Sequence, residues 1–386
     1  MPSLFAGDIS AAAQATGHFY LEKQIFARGE PVFLYYKITN RSTKVIGVNR
    51  SDPEQPMCWG VDIKVSSDPP STTAACSILP DSWCVMNGQF GDAVPLSPGE
   101  STVERFLLNL HHQIVAPGSY WVEASQSGRL GDAAISAHRR LSFRIDASAL
   151  FPRSRLQPWV DQLGSSDDDQ RLEAARVLAS VASTSVEDVL LTFAHDPLLK
   201  RYAPLALYRL NTQLSRVALA EMVRNSASGS HESLDAARYL AEIGGSYWYP
   251  LLLETAQRQP SFYLSFAAEA GGERIVPLLQ SMAPGPDAHL EAIEALGWTA
   301  SPKAIPILLD QLHNADQLTS NRAEEALQML THRVPRTESS NFHEAARYAQ
   351  WSRWWQSEGA QRVIFKPTNC GAETPLPDTQ TGSKRY

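Results

Sequence analysis

The sequence predicts a two-part protein, an all-β sandwich over residues 17–148 followed by an all-α array of stacked helical hairpins over residues 158–332. Three observations predict it. A length of 386 residues exceeds the roughly 250–300 at which single cores stop growing, so more than one domain is expected. The first 148 residues alternate apolar and polar positions with period two between Pro-Gly turns, the pattern of short half-buried strands. The second half repeats a signature in which a helical stretch ends at glycine and a proline opens a new helix with paired aliphatics. It reads LDAARYLAEIGG before Pro250-Leu251-Leu252, YLSFAAEAGG before Pro277-Leu278-Leu279, and HLEAIEALGW before Pro306-Ile307-Leu308.

In the β part, Val32, Leu34, Tyr36 and Ile38 fall at every second position after the Gly29-Glu30-Pro31 turn. Val61, Ile63 and Val65 repeat the alternation. "LSPGES" leads to Phe106 and Leu108, "APGSY" leads to Tyr120, Val122 and Ala124, and Leu141, Phe143 and Ile145 close the series. Short strands divided by Pro-Gly turns are expected to form two packed sheets. These turns carry a resemblance. The "GEPV" turn (Gly29 to Val32), the strand ending in Asn40, the "PGES" turn (Pro98 to Ser101) and the late "PGSY" turn (Pro117 to Tyr120) make the region similar to the immunoglobulin-like domains of bacterial exported proteins. A similar layout occurs in the intracellular proteinase inhibitors of bacilli. The resemblance implies a fold and leaves function open.

In the helical part, Gly244, Gly271 and Gly297 lie 27 and 26 residues apart, and Pro250, Pro277 and Pro306 lie 27 and 29 apart. Self-similarity at a period of about 20–50 residues marks a stack of supersecondary units, none of which buries its apolar stripe alone. The glycines are expected to adopt the left-handed backbone that closes a helix, and the prolines to open the next one. Ala174-Ala175, Ala236-Ala237 and Ala267-Ala268 allow close helix approach, and the paired aliphatics fill the seam between hairpins. Asp167 to Asp169 precede a helix and read as acidic residues meeting its positive end, not as a cation site. The region from Pro158 to His332 resembles the HEAT-like repeat family, in the short form also seen in phycobilisome lyases. That resemblance implies a curved superhelical solenoid that holds proteins, its concave side lined by the second helix of each hairpin. Tyr348, Trp351 and Trp355 form one helical stripe flanked by Trp354, similar to the closing segment of bacterial HEAT-repeat proteins. The expected layout is an N-terminal segment over 1–16 read as a signal remnant, a linker over 149–157, an aromatic capping helix region over 333–366 and a tail over 367–386.

The formal charge of −7 divides as −2 for residues 1–148 and −5 for the rest. Neither part carries the basic footprint that nucleic acid demands. No apolar run reaches the roughly 20 residues that span a bilayer. No metalloprotease, nucleophile-elbow or phosphate-loop motif and no C-x-x-C pair occurs, so neither a catalytic residue, a metal site nor a cofactor is expected. The paired His111 and His112 are read as a surface loop whose imidazoles diverge, and the sequons at Asn40 and Asn49 as chance matches. The candidate partner-binding residues are Tyr247, Trp248 and Tyr249, three aromatics at a helix mouth, because Tyr and Trp dominate interface energies; core packing between repeats is the competing reading.

The expected function is that of a non-enzymatic scaffold or adaptor that uses the concave face of the HEAT-like solenoid to hold an unknown protein partner, in the periplasm or secreted by a bacterium, with the cytoplasm as the alternative. Two other functions compete with it: an inhibitor or ligand-binding module acting through the sandwich on a protease or glycan, and an auxiliary lyase-like enzyme. Cys58, Cys76 and Cys84 cluster near Trp59 and Trp83, and Cys370 stands alone. One disulfide within the cluster is expected, with Cys76–Cys84 the candidate pair and a second bridge to Cys370 open; reduced, buried cysteines are the alternative. Thiol titration of the denatured protein, with and without prior reduction, should find fewer than four thiols in the oxidised sample. Four would remove the disulfide.

Overall fold

The computed structural model describes residues 15–48, 61–68, 93–112, 114–130, 133–225, 229–284, 289–313, 316–331, 344–357, 359, 365–366 and 374–375. All four cysteines, and so the candidate Cys76–Cys84 bridge, lie outside the described residues, as does Asn49. The chain divides into two compact units, Met1–Ser185 and Val186–Tyr386. The first is rich in β-structure and the second helical.

In the first unit, β1 (Ala15–Leu21), β3 (Phe33–Asn40) and β7 (Ser101–Leu107) form an antiparallel sheet in the order β1-β3-β7. A second sheet orders β2 (Ile25–Arg28), β9 (Ala133–Leu150), β8 (Gly118–Leu130) and β5 (Val61–Asp68), with β2 parallel to β9 and the other pairs antiparallel. A small pair joins β4 (Ile46–Val48) to β6 (Val94–Leu96). Both large sheets contribute to one core. Val32, Leu34, Tyr36 and Ile38 are fully buried, and Tyr120, Val122, Ala124, Phe143 and Ile145 join them in the same cluster. Period-two alternation therefore sorts each strand into a core side and an outer side.

The turn motifs act as fasteners. Glu30 accepts the Ala27 amide at 2.8 Å and the Lys23 ammonium at 2.6 Å, while Asn109 accepts the Val32 amide at 2.6 Å and reaches back to the Glu30 carbonyl at 3.4 Å. Asn40 is fully buried. Its amide group donates to the carbonyls of Lys44 and Leu96, both at 2.8 Å, and its side-chain oxygen accepts the Ser42 amide and hydroxyl. Its backbone exchanges bonds with Gly99 and Glu100 of the PGES turn at 2.9 Å. One strand-ending residue thus ties β3 to β6, to the segment leading into β4 and to the turn before β7.

The histidine pair departs from expectation. β7 ends at Leu107, and the chain turns into a short helix, α1 (Leu108–His111). Leu107, Leu108 and Leu110 are all buried, a burial pattern that a continued strand cannot supply because neighbouring side chains would face opposite sides. His112 follows the helix and is 6% exposed, so it belongs to the interior and not to a surface loop.

The chain passes from β9 to α2 (Arg153–Gln162) at Phe151-Pro152, inside the stretch expected as a linker. α2 pairs with α3 (Asp168–Val181), whose first turn is capped by Asp167 accepting the amides of Asp169 and Gln170 at 2.9 and 3.3 Å. This accounts for the acidic run. The hairpin packs on the sheet side of the unit: Arg105 of β7 bonds Glu173 at 2.5 Å and lies over the rings of Phe33 and Trp159 at 4.6 and 6.0 Å.

The second unit runs through α4 (Glu187–Thr192), α5 (Ala203–Leu210), α6 (Gln213–Asn225), α7 (His231–Gly244), α8 (Tyr249–Arg258), α9 (Pro260–Gly271), α10 (Val276–Met282), α11 (His289–Trp298), α12 (Ala304–Gln311), α13 (Gln317–Thr331) and α14 (Glu344–Ser357). Packing alternates. α5 rests on α7, α7 on α9, α9 on α11 and α11 on α13, while α6, α8, α10 and α12 each pair with the helix that follows. Ala236, Ala237, Ala267 and Ala268 are fully buried, as are Leu252, Leu279 and Leu308, the second members of the aliphatic pairs.

The signature glycines act differently from the reading made in sequence. Gly244 and Gly271 keep negative φ, of −113° and −81°, and Gly297 lies within α11. The reversal falls on the following glycines, Gly245 (φ 42°, ψ −123°) and Gly272 (φ 57°, ψ −130°), in a mirror-image extended region that suits glycine alone. The first glycine is required by contact. A Cβ on Gly244 would stand 2.0 Å from the Trp248 ring, one on Gly271 2.4 Å from the Tyr249 ring, and one on Gly297 3.0 Å from the Ala326 backbone.

The end of the unit is sealed by aromatics. Trp351 and Trp354 are 1% and 5% exposed, and Glu324 of α13 accepts from the Trp351 indole at 3.3 Å and the Arg347 guanidinium at 3.0 Å.

Replacing Asn40 with alanine is expected to leave the buried Leu96 carbonyl without its Asn40 donor and to cost about 1–3 kcal/mol of stability. A urea midpoint equal to that of the unchanged protein would contradict this role.

Candidate functional site

The aromatic run occupies the joint between α7 and α8. A 3-10 turn over Gly245–Tyr247 follows the backbone reversal, and Pro250 sits in the first turn of α8, where its missing amide is not needed. The three rings divide their work. Trp248 is 8% exposed and fills the space left by Gly244. Tyr249 is half-buried, its ring lying against Gly271 with the Arg274 guanidinium 4.7 Å from its centroid. Burial raises the Tyr249 pKa, and Arg274 opposes the rise. Tyr247 stands out at 71% exposure, braced edge-on against Trp248 with centroids 4.7 Å apart.

The same position recurs in the following hairpins. Arg274 lies three residues ahead of Pro277 and Lys303 three ahead of Pro306, as Tyr247 lies ahead of Pro250, and all three are exposed. Behind them the next positions turn inward: Trp248, Ile275 and Ala304 are buried. The turn edge therefore places an exposed residue at the equivalent position of each of these hairpins, an aromatic and then two cations, beside the exposed Ser246, Glu273 and Pro302. Lys303 pairs with Glu273 at 2.6 Å, and the Arg274 guanidinium reaches the Gly271 carbonyl at 3.5 Å. Arg274 and Lys303 were not singled out in the sequence; counting back from each proline is the signal that finds them.

A second polar group bridges α5 and α7. Tyr208 and Tyr239 stack at 4.3 Å, the Tyr208 hydroxyl donates to Glu242, and Arg238 lies 4.8 Å over Tyr239 while bonding Asp235 at 3.0 Å. Burial pushes the Tyr239 hydroxyl up to about 12 and the Arg209 guanidinium down to about 10. Burial also raises the Asp235 carboxyl, against the pull of Arg238. These groups pair across a helix contact. Among the described residues, no cluster of three or more His, Cys, Asp or Glu could hold a metal ion, and no helix is long and apolar enough to cross a membrane.

No protein-family model matches the sequence, and no curated protein matches it. Among solved structures, the chain is similar to an engineered protein at 22% identity and a TM-score of 0.29, over 45% of this chain and 96% of that one. It is similar to the complex of CpcE and CpcF of phycocyanin lyase from Nostoc sp. at 16% identity and a TM-score of 0.29, over 52% and 82% of the two chains. A third similarity, to native alpha-2-macroglobulin from Escherichia coli, has 13% identity and a TM-score of 0.20, over 93% and 64%. All three likenesses are weak.

The division of labour within the aromatic run is open to test by melting. Trp248→Ala is expected to cost about 3 kcal/mol or more, as loss of a buried large aromatic does, while Tyr247→Ser leaves the melting temperature unchanged. Equal losses from both would place Tyr247 in the core.

Proposed function

We propose that the chain is a non-enzymatic protein-binding scaffold, an immunoglobulin-like sandwich joined to a HEAT-like solenoid, that grips its partner along the turn edge of the helical unit. The observation that carries this reading is the recurrence of an exposed residue at one equivalent position of three hairpins, Tyr247, Arg274 and Lys303, each backed by a buried neighbour. A rigid joint spends little conformational entropy when its exposed residue is captured, and an aromatic flanked by arginine is the composition of an interface hot spot. The stacking of α5, α7, α9, α11 and α13 through alanine and glycine supports the solenoid, because repeats of this kind contact only their neighbours. Two features support the immunoglobulin-like assignment. Two sheets share one core, and the Tyr120 hydroxyl donates at 2.7 Å to the carbonyl of Ala116, four residues upstream, in the manner of the tyrosine corner of such sandwiches.

Affinity capture from extracts of the native organism, with the full chain as bait, tests the proposal. A specific protein should be retained by the unchanged bait and lost with Tyr247→Ser combined with Arg274→Ser, at an unchanged melting temperature. A captured set indifferent to that pair would dismiss the turn edge as the binding surface.

A further inference from the structure

The outer side of the four-stranded sheet carries a large aromatic set among small hydroxyls. Alternation turns Tyr120 and Val122 into the core and leaves Trp121 facing outward. Register places Ser142 of β9 directly across from Trp121 and Ser66 of β5 on its other flank. Arg140 is a diagonal neighbour toward Glu123, its guanidinium 5.6 Å from the indole centroid. In the opposite direction along the sheet lies an open groove of about 430 Å³, lined by Gln24, Ile25, Ser119, Trp121, Ser142 and Arg144 together with the backbone side of Phe143.

We propose that this groove binds a pyranose ring bearing a carboxylate, the uronic acid unit of an acidic glycan. Its volume falls in the range of small-ligand clefts, about 300–1,000 Å³. The indole gives a flat apolar wall for the C–H face of a sugar, held in place from behind by Arg140. Ser119, Ser142 and Gln24 offer short, two-way hydrogen-bonding groups of the kind that vicinal hydroxyls require. Arg144 supplies the planar fork that matches a carboxylate in two parallel bonds.

The surrounding charges fit a single anionic group. No carboxylate is among the residues lining the groove. Asp68, opposite Ser119, belongs to β5 on the far side of β8 from Arg144. Glu123 is engaged by His138 at 2.9 Å; Asp146, two residues along β9 from Arg144, feels the Arg144 charge and accepts the Ser148 amide and hydroxyl at 3.0 and 2.8 Å. A polyphosphate would call for more cations than the one guanidinium that lines the groove. The groove shares no residue with the helical turn edge.

Isothermal titration of the full chain with tetragalacturonate, tetramannuronate and the neutral galactotetraose tests it. At least one oligouronate is expected to bind at least about tenfold more tightly than the neutral sugar, the equivalent of one charge-assisted hydrogen-bonded pair. Trp121→Ala should abolish binding. Arg144→Gln should reduce the oligouronate to the affinity of the neutral sugar, and because this exposed residue is not part of the core it carries the test if Trp121→Ala fails to fold. Tyr247→Ser should leave glycan binding unchanged, which separates this site from the helical one. Failure of both oligouronates to bind, equal affinity for acidic and neutral sugars, or full oligouronate affinity in Arg144→Gln would overturn the proposal.

Discussion

The helical unit depends on how closely its backbones approach. At three positions a missing Cβ sets the distance: Gly244 admits the Trp248 ring, Gly271 admits Tyr249, and Gly297 admits the backbone of Ala326. The adjoining alanines are fully buried for the same reason. Interiors pack at crystal-like density, so a single added methyl at such a contact displaces a ring or a helix. Close approach also orders the surface. Trp248 is drawn inward and Tyr249 partly so, while Tyr247 projects outward, braced edge-on against Trp248.

The first unit is organised by buried polar fasteners more than by shape. Apolar alternation sorts side chains between core and exterior, but it does not say where one strand stops or how the next begins. Asn40 decides that at one end of β3 and Asn109 at the other, each exchanging hydrogen bonds with backbone groups far off in sequence. A buried amide in such a place suits only the arrangement that satisfies all of its bonds, and so it selects a single register.

Much of this was legible in the residues. The inward sets of β3, β8 and β9 follow from period-two spacing, and the aliphatic pairs and alanines of the hairpins from their repeat. The glycine roles were misassigned because sequence shows two adjacent glycines without showing which one meets a neighbouring ring; that contact lies between helices. The histidine pair was misplaced because α1 spans barely one turn, too short to register as a helical period. Trp121 escaped notice because attention to the inward parity of β8 passes over the residue between Tyr120 and Val122, and its groove joins the neighbouring strands β8 and β9 to Gln24 and Ile25, far earlier in the sequence.

One backbone detail bears on how the helical unit would come apart. Two consecutive joints reverse on glycine, at Gly245 and Gly272, whereas the joints on either side reverse on Asn211 and Ala300, both at φ 49°. Alanine in that conformation gives up about 1–2 kcal/mol and asparagine less. The stack is therefore most relaxed in its middle and tensed toward its margins. Fraying should begin at those margins and advance hairpin by hairpin, with the tryptophan seal acting as a counterweight at the Ala300 end.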